Sequence, residues 1–341
     1  MAWEYAAATA VGAPARAARA DVPDAEGRAD CASRPGVLLL HGLLGRASHW
    51  AATARRLAPR YRAVALDQRG HGRSERPDGP YTAEAYLADA VAAVEQLDLA
   101  PVTVVGHAMG ALTAWQLAAR RPDLVAAVVI CDMRAAAGGE EGQRAWQEWT
   151  RSWPVPFETL ADARRWFAAQ DPRPGPPSPA WGDFFAEVMT EDEDGWRPAY
   201  APEHLLRSRD SWIRDAHWDE LAGVRCPALV VRGVDGGLGR AEAQEMVRVL
   251  PRGRYAEIPD AGHLAPWDQP DAWGEAVERF LDEEVSSQGA PSAQVPRPTA
   301  GGGGGAGGGG AGADPGGSAG GRRGARRHVS GAECGTEVRM L

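Results

Sequence analysis

The chain of 341 residues contains no lysine, so all 37 basic residues are arginine, a bias of GC-rich coding that carries no mechanistic weight. Cysteine is scarce. Cys31, Cys131, Cys226 and Cys334 stand far apart without a C-x-x-C pair or a secretory pattern, which excludes a disulfide framework and predicts free thiols in a reducing compartment. Cys131 and Cys226 are expected at buried strand ends. The first residues include Glu4 and no contiguous apolar run, so neither a signal peptide nor a membrane span is expected, and the chain reads as cytoplasmic. No metal-ligand cluster, Walker loop or dinucleotide G-x-G-x-x-G is present, so no metal and no cofactor is expected.

Positive charge is lacking where a polyanion would need it. The net charge is −9, and residues 285–341 carry six arginines against three acids, a balance of +3 that leaves −12 for the rest. An acidic globular part excludes nucleic acid as its partner, and the Arg322–Arg327 cluster reads as a solvated tail. Apolar variety is missing from Gly301 to Gly321, which holds 14 of the 42 glycines and cannot bury enough surface to offset its ordering entropy. Residues 285–341 are therefore expected to be a disordered, flexible tail. The alanine-rich residues 1–35 show no clear strand period and read as an N-terminal segment that is irregular unless it supplies first strands.

What remains is a pattern of short β-branched runs alternating with helical segments. Val37 to Leu40 ends in His41-Gly42, and Arg62 to Leu66 runs into Asp67-Gln68-Arg69-Gly70-His71-Gly72-Arg73-Ser74. Pro101 to Val105 precedes Gly106-His107-Ala108-Met109-Gly110, and Ala111 to Arg120 continues as an amphipathic helix. Pro227 to Val231 leads into Arg232-Gly233-Val234-Asp235, and Tyr255 to Ile258 into Pro259-Asp260-Ala261-Gly262-His263. This alternation predicts an α/β fold with a mostly parallel central sheet flanked by helices. The strand pattern stops between Met133 and Asp219, where the chain reads as helical with proline breaks and holds eight of the 13 tryptophans. Most of these are expected to pack helices together, and a minority to face a cavity.

The segments VLLLHG, LDQRGHGRS, GHAMG, PALVVRG and DAGH, in this order, resemble the α/β-hydrolase superfamily over about residues 36–284. The resemblance implies an α/β-hydrolase core at 36–132 and 220–284 and a helical cap at 133–219. It makes 106–110 the nucleophile elbow, G-x-S-x-G, whose glycines allow a sharp strand-to-helix turn. Here the central residue is Ala108, which has no oxygen to attack with.

The same resemblance assigns His263 as general base and the backbone N–H groups of Leu43 and Met109 as an oxyanion hole. His41, His71 and His107 read as structural, with His107 close to the site. Two carboxylates compete to orient His263. Asp132 ends the strand after the elbow, while Asp235 stands one residue before position 236, where the common G-x-x-D pattern would place the acid and this chain has Gly236. Three functions stay open. The first is a hydrolase-like protein for a small apolar carbonyl ligand, an ester or lactone, without acyl-enzyme chemistry. The second is a His-Asp general-base enzyme of the cofactor-free oxygenase or lyase type. The third is a non-catalytic ligand-binding or scaffold protein. The oligomeric state is not read from the sequence.

Overall fold

A computed structural model describes residues 2–5, 34–170, 178–285 and 338–340. The chain begins with β1 (Ala2–Tyr5), β2 (Gly36–Leu40), α1 (Ala51–Leu57), β3 (Arg62–Leu66) and α2 (Ala83–Gln96). The elbow strand β4 (Val102–His107) leads into α3 (Met109–Arg120), followed by β5 (Val125–Cys131). Next come α4 (Gly139–Arg151), α5 (Leu160–Ala169), α6 (Pro179–Glu187), β6 (Met189–Asp192), β7 (Gly195–Pro198) and α7 (Pro202–Ile213). The second half of the core is α8 (Trp218–Ala222), β8 (Ala228–Gly233), α9 (Arg240–Val249), β9 (Gly253–Ile258), α10 (Ala265–Asp268) and α11 (Pro270–Val285), and β10 (Val338–Met340) ends the order.

The main sheet runs β10-β1-β3-β2-β4-β5-β8-β9. From β3 to β9 every pairing is parallel, and β1 pairs antiparallel with both β3 and β10. Parallel strands covered on both faces are apolar at nearly every position. The chain obeys this: β2, β4 and β8 are buried throughout. Alternate residues divide between two cores. Leu38, Leu40, Val104 and Ile130 pack under α2, α3 and α9, whereas Val37, Leu39, Val105 and Val129 pack against α1 and α11. Trp115 fills the first core, and Trp50 and Trp273 fill the second.

The segment between β5 and β8 has its own core. Phe167 and Phe185 stack with centroids 3.7 Å apart, and Trp149, Trp153 and Trp181 surround them edge-on or offset. Its two stems are tied together by backbone bonds from Gly138 N to Ile213 O and from His217 N to Ala135 O, both 2.7 Å.

Three differences from the sequence reading have local causes. A hairpin, β6–β7, interrupts the expected helical segment. The run Glu191-Asp192-Glu193-Asp194 has too little apolar content to bury a helix face, and Gly195 at φ 130° closes the turn. The inserted segment ends at His217 rather than Asp219, because α8 packs on the core through Leu221 and a Gln116–Glu220 hydrogen bond of 2.8 Å. Residues 338–340, expected in the flexible tail, pair with β1, so the extra strands of the sheet come from both ends of the chain. Residues 286–337 of that tail, residues 6–33, Cys31 and Cys334 lie outside the described residues.

Candidate active site

The turn between β4 and α3 is tightly packed, backbone against backbone. A Cβ on Gly110 would fall 2.2 Å from Leu40 O, and one on Gly106 would fall 2.3 Å from Gly110 O, so both positions require glycine. Between them Ala108 is held at φ 48°, ψ −120°, a region that costs an L-residue about 1–3 kcal/mol. Bonds from Ala108 N to Cys131 O (2.9 Å) and from Ala111 N to Ala108 O (2.8 Å) fix it there. Ala108 borders the cavity, and Met109 starts α3, where helix N–H groups have no intrahelical acceptor and the dipole favours negative charge.

Leu43 borders the same cavity from the turn after β2. Buried histidines build that turn. His41 accepts from Gln68 N (3.0 Å) at Nε2 and donates from Nδ1 to Gly42 O (2.8 Å). His71 accepts from Leu44 N (3.3 Å) and donates to Arg69 O (2.9 Å). Burial lowers both pKa values, that of His71 to about 3, so each ring stays neutral and keeps one donor and one acceptor. Through these bonds the two rings brace the turn.

His263 follows β9, and its Nδ1 lies 2.5 Å from Asp132 Oδ2. A carboxylate accepts, so Nδ1–H donates, and the neutral ring carries its lone pair on Nε2. The Asp132 carboxylate is fully buried, while His263 is 18% exposed. Asp132 also accepts from Gly237 N and Leu238 N, both at 3.1 Å. These two amides lie just beyond β8, the other candidate location for an acid. A Cβ on Gly236 would come within 2.7 Å of Asp132 Oδ1. The two acid locations therefore converge on one spot beside His263; Asp132 occupies it, and Gly236 leaves it room. Asp235 borders the cavity but is exposed, with its N–H bonded to Ala261 O at 2.9 Å. Among the described residues Asp132, not Asp235, is the carboxylate hydrogen-bonded to His263.

His107 is more engaged than a turn residue needs to be. Its Nε2–H donates to the His263 carbonyl at 2.8 Å, with ring centroids 4.6 Å apart, linking the elbow to the loop that carries His263. The loop is also held by Gly262 N donating to Asp268 Oδ2 (2.9 Å) and by Trp267 Nε1–H donating to His49 O (2.7 Å).

These groups meet in a cavity of about 1030 Å³. Of the eight tryptophans between 133 and 219, Trp146, Trp181 and Trp212 line it, while Trp149 and Trp153 belong to the aromatic cluster above. Trp267 and Arg209 also line it, and the sequence reading passed over both. An aromatic residue four positions after His263 was the available signal for the first. For Arg209 the signal was weaker, a cation three residues before Trp212 on the same helix.

The model of the alpha/beta hydrolase family matches residues 37–276. The chain belongs to this family. A Mycobacterium tuberculosis chain with the provisional name non-heme bromoperoxidase BpoC is 30% identical over 240 residues, covering 66% of this chain and 84% of that one. The 2-(acetamidomethylene)succinate hydrolase of Mesorhizobium japonicum is 27% identical over 251 residues, covering 73% and 89%. Among solved structures, the enol-lactonase of Burkholderia xenovorans LB400 superposes with a TM-score of 0.58 at 26% identity, covering 73% of this chain and 92% of that one. The relatives of this alpha/beta hydrolase are thus of the esterase, lactonase and hydrolase type. Among its described residues no helix is long and apolar enough to cross a membrane.

Proposed function

We propose that the protein binds a small carbonyl compound, an ester or lactone, in a hydrolase site that forms no acyl-enzyme. The observation that carries this reading is Ala108, held in the strained turn at φ 48° beside the His263–Asp132 pair. In this reading Ala108 stands where the family's serine stands, and the N–H groups of Leu43 and Met109 face the carbonyl oxygen. The inserted helices form a cap that supplies the apolar wall. That two relatives are named for hydrolysis of an acetamidomethylene succinate and an enol lactone supports a carbonyl ligand. Loss of the nucleophile from such a site costs on the order of a millionfold in turnover. Ala108→Ser is therefore expected to gain activity on a panel of short acyl esters and lactones by orders of magnitude over the native chain. Equal activity of the two proteins contradicts the reading.

The intact His263–Asp132 bond favours a second reading, in which His263 Nε2 removes a proton from a bound substrate and the two N–H groups hold the resulting anion. Native turnover abolished by His263→Ala, with Ala108→Ser bringing no gain, is its signature.

A further inference from the structure

We propose that Trp267 makes an aryl subsite in the cavity that Ala108 borders, so that the bound carbonyl compound carries an aromatic ring, as benzyl acetate and methyl phenylacetate do. This rests on the reading of the cavity as a carbonyl-binding site and narrows that reading to a substrate class. A cavity of about 1030 Å³ stands at the top of the roughly 300–1,000 Å³ that hold drug-sized ligands, and a short acyl ester occupies only a fraction of it.

Five tryptophan and phenylalanine side chains among the described residues line this cavity, and burial separates them. Trp181 and Phe184 are 3% exposed and Trp212 is 8% exposed, whereas Trp146 and Trp267 are half-buried and keep surface for a ligand. The Arg209 guanidinium lies over Trp146, 5.0 Å from its centroid, and takes a face of that ring. Trp267 is met by rings instead. It lies on α10, four residues after His263, and its indole stands nearly perpendicular to His107 (centroids 5.2 Å apart, 80°) and to Phe184 (5.5 Å, 79°).

Trp50 packs on the same indole from the sheet core at 5.5 Å, and Nε1–H donates to His49 O at 2.7 Å. The one polar hydrogen of the side chain is thereby used, and the ring is held from several sides. What it offers the cavity is a fixed apolar ring against the residue that precedes Ala108. Little ordering is left for binding to impose on such a wall. An aromatic ring placed beside it in an edge-to-face or offset geometry gains attraction beyond the burial of its area. A saturated ring of the same size buries at least as much apolar surface, so burial alone gives the aryl group no advantage. A preference for the aryl ligand therefore reports contact of ring with ring.

The test uses the full native chain, in which Ala108 offers no hydroxyl to acylate. Affinities are measured by calorimetry for two matched pairs, benzyl acetate with cyclohexylmethyl acetate and methyl phenylacetate with methyl cyclohexylacetate, which put the ring on either side of the carbonyl. In at least one pair the aryl ester is expected to bind about 3- to 10-fold tighter, as one aromatic pair allows. Trp267→Leu is expected to erase the preference and Trp267→Phe to keep part of it, with far-ultraviolet circular dichroism and the thermal midpoint as folding controls. Independently of any variant, nuclear Overhauser contacts are expected in the native protein between the ligand's ring protons and the Trp267 indole. Saturated esters that bind as tightly in both pairs, a preference that survives Trp267→Leu, or ligand ring contacts that leave out Trp267 overturn the subsite and leave the proposed function standing. No binding of any ester, with no gain of activity in Ala108→Ser, overturns the proposed function instead.

Discussion

A residue held against its intrinsic preference is informative about the site. Ala108 sits at φ 48°, where glycine would fit without strain and alanine does not. Ala108→Gly is therefore expected to stabilise the fold by about 1 kcal/mol, read as a higher denaturant midpoint at unchanged slope. A neutral or destabilising result would show that the turn is relaxed. Buried histidines give a second expectation at this scale. Burial lowers the pKa of His49 and of His71 from 6.5 to about 3, with Arg46 close to His49 and the half-exposed Glu187 carboxylate 3.7 Å from it. Between pH 6.5 and 3 both rings are neutral when folded and protonated when unfolded, so the unfolded state binds more protons and stability falls as pH falls. Above pH 6.5 this contribution is fully present. His49→Gln should flatten the slope of stability against pH by about 1.4 kcal/mol per unit in the middle of that window. An unchanged slope between pH 6 and 4 would refute it. The sequence made His263 and Ala108 legible because a motif frames each. It left Asp132 and Asp235 undecided, since their convergence near His263 depends on how the ends of β5 and β8 lie side by side, which spacing along the chain does not encode.

At the scale of elements, the parallel strands were readable because a strand buried on both faces is apolar throughout, and β2, β3 and the elbow strand fall within a residue or two of their expected bounds. The hairpin β6–β7 was not readable. Its strands are four residues long and half exposed, too short and too polar to give a period. The inserted helices hold together through rings rather than through backbone pairing with the sheet. Phe167 is fully buried at the centre of that cluster, and Phe167→Ala should cost about 3–5 kcal/mol locally. Hydrogen exchange is expected to rise across 139–213 while β2, β4 and β5 keep their protection. Equal loss of protection in the sheet would mean that the inserted segment and the core unfold as one unit.

On the scale of the whole molecule, the cavity lies where the ends of β4, β5 and β9 meet the inserted helices, and each contributes a part that is inert alone. The strand ends bring Ala108, Asp132 and His263 together, the turn after β2 brings Leu43, and α7 brings Arg209. The architecture was legible from five segments in order. The wall was not, because it is set by which faces of α4, α6 and α7 turn inward. The proposed function holds that this site is assembled and lacks a single hydroxyl group. Its most direct test is intact-mass analysis after exposure to a serine-directed fluorophosphonate. The native chain is expected to stay unlabelled, and Ala108→Ser to gain one adduct that maps to position 108. An adduct on a cavity residue of the native chain, or a folded Ala108→Ser protein that stays unlabelled, would contradict the account.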